Sequence, residues 1–77
     1  MKCFGITVKA KDSDGLYYIN HTVLAMSLDA ADTIVLDYYA SCDNEFIEFD
    51  QAILLENTHF DGASKVIETQ GKIYFSK

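Results

Sequence analysis

Seventy-seven residues, 49% apolar and without proline, allow one compact domain (residues 1–77) and exclude a multidomain enzyme, because so short a chain cannot divide its apolar residues between two self-sufficient cores. Two cysteines, Cys3 and Cys42, are too few for a disulfide scaffold. No apolar run reaches the roughly 20 residues that cross a bilayer, and Met-Lys-Cys-Phe-Gly does not open a signal peptide, so a soluble cytoplasmic protein is expected. A net charge of −6 with no arginine disfavours nucleic-acid binding through a basic patch.

Residues 3 to 10 alternate, with Phe4, Ile6, Val8 and Ala10 opposed to Cys3, Thr7 and Lys9, the period of a half-buried strand. Asp12-Ser13-Asp14-Gly15 pairs side chains that cap their own backbone with a glycine free to take positive φ, a hairpin signal. Residues 16 to 25 form the second strand, with Tyr17, Ile19, His21 and Val23 opposed to Leu16, Tyr18, Asn20 and Thr22, and both of its faces are partly apolar. Ser27 is an N-cap ahead of a helix from 28 to about 41, whose first turn holds Asp29 beside the positive end of the helix dipole. At 100° per residue, Leu28, Ala31, Ile34, Val35, Tyr38, Tyr39 and Cys42 make an apolar arc, whereas Leu36 projects among Asp29, Asp32 and Thr33.

Asp43-Asn44 is a turn, and the segment from Glu45 reads as a third strand with Ile47 and Phe49 opposite Phe46, Glu48 and Asp50. Its end, Ala52 to Leu55, is continuously apolar, either a buried strand end or a bulge. Asn57 to Ser64, with His59 and Asp61-Gly62, reads as loop. Lys65–Thr69 and Lys72–Phe75 are joined across Gln70-Gly71, a second hairpin signal. The expected fold class is α+β, an antiparallel sheet of four to five strands with one helix packed on one face, in the order ββα followed by two or three strands. Such a sheet leaves its other face uncovered, so dimerisation or a docked partner would use the surplus apolar surface.

The charge is unevenly laid out along this map. All six cations are lysines near the ends, Lys2, Lys9, Lys11, Lys65, Lys72 and Lys77. Between Lys11 and Lys65 stand eleven carboxylates, including Asp12, Asp14, Asp29, Asp32, Asp37, Asp43, Glu45, Glu48 and Asp50, with no compensating cation. Like charges so placed oppose compaction but steer a positive partner; the bland alternative is acidity that serves solubility.

Catalytic chemistry finds little footing. Ser13, Ser27, Ser41, Ser64, Cys3 and Cys42 lack the base and orienting group that activate a nucleophile. His21, His59, Cys3 and Cys42 match no zinc-ligand spacing, and His21 reads as a strand residue hydrogen-bonded at a surface. A calcium loop beginning at Asp12 would need its last ligand at Val23. No metal or cofactor is implied. Carboxylates spaced on a helix and strand can instead imitate the phosphate row of a duplex, with exposed Tyr and Leu imitating stacked bases behind it.

The segments Asp12-Ser-Asp-Gly-Leu-Tyr-Tyr-Ile-Asn-His, Leu24-Ala-Met-Ser-Leu and Asp43-Asn-Glu-Phe-Ile-Glu resemble, over roughly residues 6 to 55, the short uracil-DNA glycosylase inhibitors of Bacillus phages. That resemblance implies a homodimeric DNA mimic whose carboxylates occupy the enzyme's DNA groove, and an apolar pocket, formed largely by the two helices, that takes up the side chain the enzyme wedges into DNA. The chain departs from the family at Ile19, where the family has Glu, and at Asp29 and Thr33, where it has aromatic residues. The expected partner is thus a basic DNA-binding enzyme, met by Asp29, Asp32 and Asp37 with Leu36 and Tyr39 on the helix, and by Asp14 and Tyr18 near the hairpin. An anti-CRISPR or other host-takeover factor is the alternative, and a structural domain with solubilising acidity the next.

Overall fold

A computed structural model describes residues 1–57 and 64–76. Its elements run β1 (Lys2–Asp12), β2 (Gly15–Ala25), α1 (Leu28–Ala40), β3 (Glu45–Asn57), β4 (Lys65–Thr69) and β5 (Ile73–Ser76). The five strands form one antiparallel sheet in the order β3-β1-β2-β4, with β5 also on β2, and the helix packs on one face: an α+β fold. The loop expected at Asp61-Gly62 and His59 lies outside the described residues, and Asn57 ends β3.

β1 and β2 pair along their whole length, from Lys2 opposite Ala25 to Asp12 opposite Gly15. Gly15 takes φ 128° to close the hairpin, a conformation open to glycine because it has no Cβ. Because paired residues share a face, the alternation in both strands sends Phe4, Ile6, Val8 and Ala10 with Tyr17, Ile19, His21 and Val23 under the helix, and all eight are buried. Ala31, Val35 and Tyr39 close the core from above. The helix's apolar arc is narrower than the sequence suggests: Ile34 and Cys42 pack at its margin, and Leu28 and Tyr38 are exposed.

Two strand expectations are corrected. In β3 the register against β1 slips between Cys3 and Phe4, Thr7 and Val8, and Lys9 and Ala10. Each slip inserts one residue and so reverses the alternation beyond it. Phe46 and Phe49 therefore both join the core side and Ile47 becomes an exposed inserted residue, whereas of the two readings of the apolar end the bulge holds, with Leu55 inserted and Ile53, Leu54 and Leu55 exposed on an edge strand. Nor is there a hairpin across Gln70-Gly71. β4 pairs with residues 21–24 of β2 and β5 with residues 16–18, so the two run end to end along the same edge. The Gln70 amide still donates to the Asn20 carbonyl at 3.0 Å, and Gly71 is not in the left-handed region that a tight two-residue hairpin requires.

Candidate functional site

The outer side of α1 carries the concentrated charge. Ser27, in extended backbone, accepts a hydrogen bond from the Ala30 amide at 3.2 Å and caps the helix. The buried stripe Ala31, Val35 and Tyr39 fixes the helix's rotation and turns Asp29, Thr33, Leu36 and Asp37 outward. Leu36 is 43% exposed between the carboxylates. Asp32 sits half-buried at the flank, and burial, with the neighbouring Asp29 charge, pushes its carboxyl above the ordinary range. Among the described residues no lysine lies within ion-pair distance of Asp29, Asp32 or Asp37. Beside them Ile34 and Tyr38 with Val66, Ile67 and Thr69 line an open groove of about 480 Å³ between the helix and β4.

Three lysines stand elsewhere, whereas Lys2, opposite the core residue Ala25, and Lys72, over the Tyr17 ring, are on the helix side of the sheet. Lys9, Lys11 and Lys65 share a face with Cys3 and Leu24 by register, the side of the sheet away from the helix. There Lys9 lies 3.9 Å from Glu48 and 5.2 Å from the centre of the Phe75 ring. At the hairpin end Lys72 donates to Asp12 at 2.7 Å and the Tyr74 hydroxyl donates to the same oxygen. The Lys72 contact first, then Tyr74, pulls the Asp12 carboxyl down to about 2. Asp12 is therefore neutralised, while Asp14, whose amide donates to Asp12 at 2.8 Å, keeps its own carboxylate exposed at the tip.

The residues expected to form one binding surface separate into three places on the surface and one in the core. Asp29, Asp32, Leu36 and Asp37 are together on the helix, and Asp14 is at the hairpin tip. Tyr18 is on the opposite side of the sheet, because it alternates with buried Tyr17 and Ile19, and there it stacks on Phe75 at 4.6 Å. Tyr39 is not a surface contact at all: it is 6% exposed, turned into the core.

Tyr39 serves a site that sequence reasoning misplaced. His21 is fully buried rather than at a surface. Its Nε2 is hydrogen-bonded to the Tyr39 hydroxyl at 2.7 Å and its Nδ1 to the Thr69 hydroxyl at 2.9 Å, so one imidazole joins α1, β2 and β4. Either neutral tautomer is satisfied, since a hydroxyl both donates and accepts. Burial lowers the His21 pKa and raises that of Tyr39. The signal was present in the strand's period, which sets His21 with Tyr17, Ile19 and Val23; its partners come from 18 and 48 residues away. This arrangement also keeps His21 from meeting Cys3, which is buried on the other side of the sheet. Comparison of the chain with protein-family models, curated proteins and solved structures returns no match.

Proposed function

We propose that this chain is a non-catalytic, phage-type inhibitor that imitates DNA and blocks the DNA-binding site of a basic DNA-processing enzyme in the bacterial cytoplasm, with uracil-DNA glycosylase as the first candidate. The observation that carries the reading is the charge on the helix: among the described residues Asp29, Asp32 and Asp37 have no ion-pair partner around Leu36, Lys9, Lys11 and Lys65 lie on the far side of the sheet, and Lys72, on the helix side, is held by Asp12. Eight residues of helix separate Asp29 from Asp37, about 12 Å along the axis, the length of three to four phosphate steps at about 3.4 Å each. A cationic DNA groove meets these carboxylates in place of phosphates, and Leu36 with the neighbouring groove supplies the apolar contact. Occlusion, steric and electrostatic, is the whole mechanism.

The choice of glycosylase rests on the resemblance over residues 6 to 55, and the mimicry rests on the charge. A uracil-excision assay with and without the protein, at low and high salt, tests both. Inhibition that weakens as salt rises is expected, because screening shortens the reach of the carboxylates. No inhibition at either salt refutes the glycosylase assignment, and salt-independent inhibition refutes the mimicry.

A further inference from the structure

β3 is an edge of the sheet. Among the described residues it pairs with β1 alone, so the main-chain amides and carbonyls along its other side meet no strand. Proteins close such edges with charge and with bulges, and the first half of β3 has both: Glu45, Glu48 and Asp50 are exposed, and Ile47 and Asp50 are inserted residues that interrupt the ladder. The second half is built differently. From Gln51 to Leu54 the strand runs one-to-one against Thr7 to Phe4 without a slip, and Gln51 to Leu55 are uncharged and all exposed. Ile53 and Leu55 lean back over Gly5, where an added Cβ would stand 3.5 Å from Ile53 Cγ1 and 3.4 Å from Leu55 Cδ1, so these side chains fold toward β1 and away from the outer edge. Leu54, on the other face by its register with Phe4, is 51% exposed.

We infer that Gln51 to Leu54 dock an extended, basic-ended segment of a partner protein, which adds to the sheet as a further strand beyond β3. In this mode main-chain hydrogen bonds supply the affinity and the side chains beside the new strand supply the selection. Selection here has two parts. Ile53 and Leu54 lie on opposite faces, so the incoming strand is apolar on both of its faces where it passes them. At the Gln51 end it meets Asp50, which is exposed in its bulge and has no ion-pair partner among the described residues. Lys9 and Lys11 on β1 stand opposite Glu48 and Glu45, not opposite Asp50. Opposite charges on adjoining strands stabilise the pairing and like charges oppose it, so the segment carries lysine or arginine at that end. The β3 strand of a second copy does not meet this requirement, because its Glu45, Glu48, Asp50 and Glu56 come without a cation. The docking site belongs to the sheet's edge and stands whether or not the helix carboxylates imitate DNA.

The test is amide hydrogen exchange of the full chain by NMR, with the blocked peptide Lys-Lys-Val-Ile-Val-Lys-Lys as probe, whose lysines at both ends let either strand direction meet Asp50. Rapid exchange of the outward amides among residues 51–54 is expected in the free chain, and saturable protection of them with the peptide. The same peptide N-methylated throughout its Val-Ile-Val core is expected to give no protection, and the glutamate-ended version to bind more weakly. Asp50→Lys is expected to lower the affinity for the lysine peptide about fivefold, the most that one exposed ion pair supplies, while Asp29→Asn on the helix leaves it unchanged. Absence of protection at residues 51–54 overturns the proposal, as does equal binding of the N-methylated peptide or of the glutamate-ended one. So does protection of these amides in the free chain, the result that a second copy on the edge produces.

Discussion

Replacing Tyr39 with Phe removes one oxygen from the core and keeps the ring that packs on Ala31, Val35 and Phe46. The change leaves His21 Nε2 without its partner at 2.7 Å, at a residue with no exposure to water. Thr69 satisfies Nδ1, but no choice of tautomer then satisfies both ring nitrogens. An unsatisfied buried polar group costs about 1–3 kcal/mol, and each kcal/mol moves the melting midpoint of a domain this size by roughly 4–8 °C. Tyr39→Phe is therefore expected to melt roughly 4 to 24 °C below wild type near neutral pH, measured by circular dichroism. Acid titration checks the same network. Because burial holds the folded His21 pKa below its ordinary 6.5, the unfolded chain takes up the proton first as pH falls. Stability is then full above about 6.5 and is lost progressively below it. His21→Leu flattens that slope. A Tyr39→Phe protein melting with wild type, or a His21→Leu protein with the wild-type pH slope, refutes the reasoning.

Ser27→Ala removes the helix cap and lowers stability by about 1 kcal/mol, read as a shift in urea midpoint. Gly15→Ala forces a Cβ into the φ 128° conformation and costs on the order of 1–3 kcal/mol, again by urea unfolding. Asp32→Asn relieves a carboxylate that burial and Asp29 hold above its ordinary pKa, so it raises stability at neutral pH. Combined with Asp29→Asn it slows association with a cationic partner more than it speeds dissociation, which stopped-flow binding separates. The Asp12 carboxyl, held at about 2 against 3.8 by Lys72 and Tyr74, stabilises the fold above about pH 4 and loses that contribution between about pH 4 and 2; Lys72→Ala diminishes this acid step in a pH series of unfolding curves.

Most of the central fold was legible because period and punctuation agree there. The alternation of residues 3–10 and 16–25, the Asp12–Gly15 turn and the Ser27 cap place β1, β2 and α1 to within two residues at each end. β3 was not legible in its register: three inserted residues reverse its alternation, and the period of a single strand does not show where its partner requires a bulge. Gln70-Gly71 carries turn residues, yet the unfilled edge of β2 pairs with chain on both sides of it. The candidate site divides the same way. Asp29, Asp32, Leu36 and Asp37 follow from helical spacing, because the buried stripe opposite them sets the rotation. Tyr18 and Tyr39 misled because both faces of β2 are apolar, which hides the side the helix covers, and because the partner of Tyr39 is a histidine on another element.

The proposed function makes the carboxylates of the helix side the surface a DNA-binding enzyme recognises. Its most direct measurement is inhibition of uracil excision at low salt by wild type, by Asp29→Asn/Asp32→Asn/Asp37→Asn, and by Lys9→Gln/Lys11→Gln on the far side of the sheet. Inhibition by wild type and by the lysine variant, with loss of inhibition in the folded triple aspartate variant, is the predicted result. Undiminished inhibition by the triple variant contradicts the account.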